Sequence, residues 1–114
     1  MASRTECDSA MRSVVDRLAE LDPELRRRYT VDRSVSCRVS DLGVTYSAQL
    51  SEEGLAGLVV DGAAADRAQV RLTVGSDDLL ALVEGRLAVP SAWAVGKLRV
   101  QASPLDLLKL RALL

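Results

Sequence analysis

Apolar residues recur at two different periods along this chain, and the change of period divides it. Met11, Val14, Val15, Leu18, Leu21 and Leu25 fall three or four positions apart, which winds one apolar stripe along an amphipathic helix. Thr5 and Asp8 stand at capping-box spacing and predict its start. Asp22-Pro23 interrupts it, because proline lacks an amide donor and clashes with the preceding turn, so the reading is two helices, over 6–21 and 23–28. From Val31 the period is two. Val35, Cys37 and Val39 alternate with Ser34, Ser36 and Arg38, and after Asp41-Leu42-Gly43 the residues Val44, Tyr46, Ala48 and Leu50 alternate with Thr45, Ser47 and Gln49. This is a hairpin with one wet face. Ser51-Glu52-Glu53-Gly54 turns into a third strand over 55–60, and the alanine-rich stretch 62–66 reads as a loop.

The remainder alternates short elements. A fourth strand over 68–74 places Ala68, Val70, Leu72 and Val74 inward. Ser76 is in an N-cap position with Asp77 and Asp78 in the first turn, Leu79, Leu80, Leu82 and Val83 follow, and Gly85 supplies a left-handed stop. Pro90 opens one turn around Trp93, Gly96 breaks it, and Leu98 and Val100 face in from a fifth strand over 97–101. Ser103-Pro104 opens a terminal helix in which Leu105, Leu108 and Ala112 form one apolar stripe and Leu107, Leu110 and Leu114 a second, roughly opposite. A helix apolar on two sides requires two apolar neighbours: the sheet, and then a second helix, a partner chain or an apolar ligand. The elements sum to an α+β domain, a mainly antiparallel sheet of five strands with helices covering one face, and the whole chain 1–114 reads as a single domain.

Composition narrows the function classes. The 114 residues are 48% apolar but only 3% aromatic, with no Phe, so the walls they build are aliphatic and offer few planar groups for stacking on bases or flavins. Net charge is −1, which gives no field toward nucleic acid. Arg26-Arg27-Arg28 reads as a solvated helix end. There is no histidine, hence no His-activated nucleophile and few zinc geometries; no cofactor is expected. Cys7 and Cys37 lie thirty positions apart and read as buried thiols of a reducing, cytoplasmic protein. No run approaches the ~18 apolar residues of a membrane span, so stable membrane insertion is not expected.

Catalytic groups are sparse. Glu52-Glu53 and Asp77-Asp78 sit at a turn and a helix start, where solvation or capping explains them. Tyr46, on an inward strand face, suits either a ligand carbonyl in an isomerase-like site or, more simply, a core tyrosine bonded to backbone. Trp93 reads as a plug between helix and strand or as the lining of an apolar cavity.

The order of the last fifty residues carries a resemblance. Val70-Arg71-Leu72-Thr73-Val74, Ser76-Asp77-Asp78-Leu79, Val83-Glu84-Gly85-Arg86-Leu87, then Ala92-Trp93-Ala94-Val95-Gly96-Lys97-Leu98-Arg99-Val100 and a closing leucine helix resemble the sterol carrier protein type 2, or sterol-binding, domain family. Gly85, Ala92, Gly96, Lys97 and Leu98 match its recurring positions and look structural. Ala102-Ser103-Pro104 departs from the glycine-containing turn found there. The resemblance implies a five-stranded sheet, helices on one face, and a hydrophobic tunnel between them for fatty acids, fatty acyl-CoA or sterol-like molecules. It supplies no catalytic set.

The expectation is therefore a non-enzymatic carrier of an apolar, lipid-like ligand, with the tunnel lined from Leu79, Leu80, Val83, Leu87, Trp93, Leu107, Leu110 and Leu114. The alternative is an interaction module in which the leucine helix and Trp93 bury against a second copy, as a homodimer, or against a partner enzyme, leaving no cavity.

Overall fold

The computed structural model describes residues 2–20, 22, 24, 32–62 and 67–113, with side chains as far as residue 108 in the last helix. The second predicted helix, with Arg26-Arg27-Arg28 and the loop 63–66, lies almost wholly outside these residues; Asp22 does accept a hydrogen bond from the Glu24 amide, 2.9 Å. The elements run α1 (Arg4–Glu20), β1 (Arg33–Val39), β2 (Val44–Ser51), β3 (Gly54–Val60), β4 (Val70–Val74), α2 (Ser76–Val83), α3 (Val89–Ala94), β5 (Leu98–Gln101) and α4 (Pro104–Leu113).

Two caps differ from the sequence reading. Helix α1 starts two residues earlier: the Glu6 amide donates to Ser3 Oγ (3.1 Å) and the Ser3 amide to Glu6 Oε1 (3.2 Å). Glutamate is long enough to reach back to the cap amide, whereas Asp8 is not. Helix α2 is capped at Gly75, not Ser76, because the Ser76 side chain is taken by tertiary partners. Its hydroxyl donates to Asp41, its amide donates to Asp41 Oδ1 (2.8 Å), and it accepts from the Ala2 amide (3.1 Å). Ser103 caps α4 as expected, accepting from the Asp106 amide.

The sheet has the order β3-β2-β1-β4-β5. β1 pairs with β2, β2 with β3 and β4 with β5 antiparallel; β1 and β4 run parallel, with Cys37 opposite Leu72. The sheet is therefore mixed. β1, β2 and β3 form a meander, and β4 lies on the free side of β1, parallel to it. The period-two pattern holds through the pairing. Cys37, Val39, Val44, Tyr46, Val74 and Leu98 are buried on one face with Cys7 and Met11 of α1, Leu79 of α2 and Ala92 of α3. The other face carries exposed Arg38, Gln49, Arg71 and Arg99. The architecture is α+β, with helices on one face.

Helices α1 and α2 run side by side in the same direction, tied at one end by Ala2 to Ser76 and at the other by a hydrogen bond from Arg17 to the Val83 carbonyl. Gly54, at φ 108, lets β3 begin directly beneath α1, where a Cβ would stand 3.7 Å from the Leu18 and Ala19 backbone. That brings the C-terminal half of α1 over the sheet.

Candidate functional site

Between the helices and the inward face of the sheet lies an apolar cavity of about 480 Å³, within the range expected for small-molecule sites. Its floor is strand: Val35 and Cys37 of β1, Leu55 of β3, Leu72 and Val74 of β4, Leu98 and Val100 of β5. Its roof is Met11, Val14 and Leu18 of α1 with Leu79, Leu82 and Val83 of α2, and Val89 and Trp93 of α3 close one side. Arg17 supplies the charge at its rim. The floor follows from alternation, since every second residue of adjacent paired strands points the same way. The roof follows from helical spacing, since Met11, Val14 and Leu18 share one stripe.

The predicted lining residues divide. Leu79, Val83 and Trp93 line the cavity. Leu80 points instead into a separate groove between α1 and α2, and Leu87 packs against the core outside the cavity. Leu107 is half-buried and does not line it, and the side chains of Leu110 and Leu114 lie outside the described residues. The rotation of α4 also differs from the two-stripe reading. Leu105 and Leu108 are 60% and 65% exposed, whereas Asp106 is buried and receives the Arg33 Nε hydrogen on both carboxylate oxygens, at 3.2 and 3.1 Å. An ion pair with the first residue of β1 turns Asp106 inward and the Leu105/Leu108 stripe outward.

Neither a protein-family model nor a characterised protein matches the sequence. Solved structures do. Sterol carrier protein 2 like 2 from Aedes aegypti superposes with a TM-score of 0.66 at 18% identity, over 97% of this chain and 98% of that one. The chain has the sterol carrier protein 2 fold. The palmitated form of the same mosquito protein, determined in solution, gives 0.65 at 20% identity, over 93% of this chain and 91% of that one. The inverting sec-alkylsulfatase Pisa1 from Pseudomonas sp. also matches, at 0.62 and 20% identity, but 82% of this chain covers only 14% of that one.

Seen as a sterol carrier protein 2 fold, the cavity has two titratable groups among its described lining residues, the Arg17 guanidinium and one thiol. Cys37 is 6% exposed and lines the floor; burial pushes its pKa up to about 11. Tyr46, nearly fully buried, stands opposite Cys37 on β2 but does not line the cavity. Its hydroxyl donates to the Asp8 carboxylate rather than to backbone, and burial together with that bond raises its pKa above the ordinary phenol value. Asp8 on α1 is the partner that strand patterning could not reveal. Among the described residues no group of three or more His, Cys, Asp or Glu could hold a metal, and no helix is long and apolar enough to cross a membrane.

The sequence reading names none of the floor and none of the α1 part of the roof as lining. All of these residues except Leu55 stand on an apolar strand face or helix stripe in that reading, so most of the signal was present. What was absent was any indication that the inward residues of α1 and the sheet stop short of one another and leave a space.

Proposed function

We propose that the protein binds and carries an aliphatic, lipid-like molecule, a fatty acid, its coenzyme A thioester or a sterol-like compound, without catalysing a reaction on it. The observation that carries this reading is the cavity itself: about 480 Å³ between the helices and the sheet, open to solvent on one side and walled almost entirely by aliphatic side chains. An interior of this kind normally closes by repacking, because an unfilled apolar void loses dispersion contacts on every wall. The sterol carrier protein 2 fold and the palmitate carried by a mosquito protein of that fold support the same assignment. Tyr46 and Asp8 are bonded to each other and do not line the cavity, so among the described residues no carboxylate faces a bound molecule. At about 0.3 kcal/mol per heavy atom, a lipid of roughly 27 atoms gains ~8 kcal/mol, a dissociation constant near micromolar. That strength allows release.

The test is displacement of an anilinonaphthalene probe by palmitate, with the emission of Trp93, the sole tryptophan, followed in parallel. Micromolar uptake by a monomer is expected, and Val100→Trp, which fills the cavity from β5, removes it. A constitutive dimer that covers Leu105 and Leu108 and takes up neither probe nor fatty acid would replace the carrier with the interaction module.

A further inference from the structure

A second, more polar groove of about 350 Å³ runs along the outside of the α1–α2 seam, lined by Thr5, Glu6, Ser9, Ala10, Ser13 and Arg17 of α1 with Leu80, Val83 and Glu84 at the end of α2. Arg17 and Val83 belong to both linings, that of the apolar cavity and that of the groove. The two spaces thus meet at these residues, and the hydrogen bond from Arg17 Nη1 to the Val83 carbonyl spans the boundary. Arg17 is exposed and on the last full turn of α1, so its side chain can swing outward by exchanging the Val83 bond for water.

We infer that the groove is the polar compartment of the same binding site and that it accepts the uncharged, hydroxyl-bearing head of a single-chain lipid, such as a monoacylglycerol, whose acyl chain enters the cavity past Arg17. This rests on the carrier reading and narrows its ligand. The groove wall carries no excess of positive charge. Glu6 and Glu84 oppose the one guanidinium of Arg17, and Glu84 is itself paired with Arg86. A phosphate-rich head such as coenzyme A requires a surplus of cations, and the wall has none. The hydroxyls of Thr5, Ser9 and Ser13 have no hydrogen-bond partner among the described residues; each is both donor and acceptor, and they descend the same face of α1 toward Arg17. Such groups suit a head that also both donates and accepts. Thr5 and Ser9 are exposed and Ser13 half-buried, so the head stays partly in water while the chain does not.

The test compares three ligands of one chain length, palmitate, 1-monopalmitoylglycerol and palmitoyl-CoA, by displacement of anilinonaphthalene from the full chain and from the Ser9→Ala/Ser13→Ala variant. Alanine at two partly exposed helix positions preserves the fold, which circular dichroism and an unchanged probe affinity verify. Monopalmitoylglycerol is expected to bind about tenfold more tightly than palmitoyl-CoA. The variant is expected to weaken monopalmitoylglycerol about fivefold while palmitate stays within about twofold, the size set by one or two hydrogen bonds. Tighter binding of palmitoyl-CoA, or equal loss or no loss for both other ligands in the variant, would overturn the inference and leave the carrier intact. Failure of all three ligands to displace the probe would overturn the carrier reading.

Discussion

Asp41 shows how one side chain joins distant parts of this chain. Its carboxylate receives both the hydroxyl and the amide of Ser76, and these bonds hold its pKa below the usual carboxylate value. A folded-state pKa below the unfolded one means that the bond's contribution is complete above the ordinary carboxylate range and is lost as pH falls through the folded value. The thermal midpoint is therefore expected to drop between about pH 5 and pH 2, and Asp41→Asn is expected to lower the neutral-pH midpoint and flatten that acid limb. A limb unchanged in the variant would assign the acid loss to other groups. Cys37 titrates in the other direction. Its pKa of about 11 lies two units above the ordinary thiol value of 9.0, so thiolate is scarce at neutral pH. Alkylation of Cys37 by N-ethylmaleimide, mapped by peptide mass, is expected to be about a hundredfold slower than for a free thiol, and slower again with palmitate bound. Protection by palmitate at Cys37 but not at Cys7, which is buried yet off the cavity wall, would place the ligand directly.

Among the elements, α4 is the one whose composition misleads. Its leucines suggest that apolar stripes orient it, but the buried group is Asp106, held by Arg33 from β1. Removing one partner strands the other charge in a partly buried site. Asp106→Ala is expected to cost about 2 kcal/mol in urea unfolding, less than a fully buried pair because the Arg33 side chain keeps 27% of its exposure. Leu105→Glu and Leu108→Glu, on the outward stripe, are expected to change stability by no more than about 0.5 kcal/mol. If either leucine substitution destabilised the protein by several times that amount in a concentration-dependent way, the stripe would be an interface between copies. Helix α1, by contrast, is oriented by its apolar residues as the spacing requires: Cys7 and Met11 are buried and Val14 and Leu18 face the cavity.

At the scale of the molecule, the cavity sits where α1, α2 and α3 bridge the sheet without filling the space beneath them. A ligand that occupies this space stabilises the folded state by mass action. At a hundredfold excess over the dissociation constant, palmitate is expected to add about 2.7 kcal/mol, a rise of several degrees in the thermal midpoint for a domain of this size. Val100→Trp is expected to abolish the rise while keeping the protein folded.

The chain's own pattern was sufficient for the order of the described elements, though not for the caps of α1 and α2, because glycine stops and apolar period are local: Gly85 and the alternation from Val35 to Leu50 act within a few residues of where they stand. The same pattern named the inward side of every strand but β3, and through its last fifty residues it pointed to the sterol carrier protein fold. Tertiary structure decided what those inward faces meet. It set β4 parallel to β1, gave the Tyr46 hydroxyl to Asp8, turned Asp106 inward against Arg33, and placed the cavity under α1 and α2. These are pairings across tens of residues, and periodicity fixes only the direction in which a side chain points, not the distance to the group opposite.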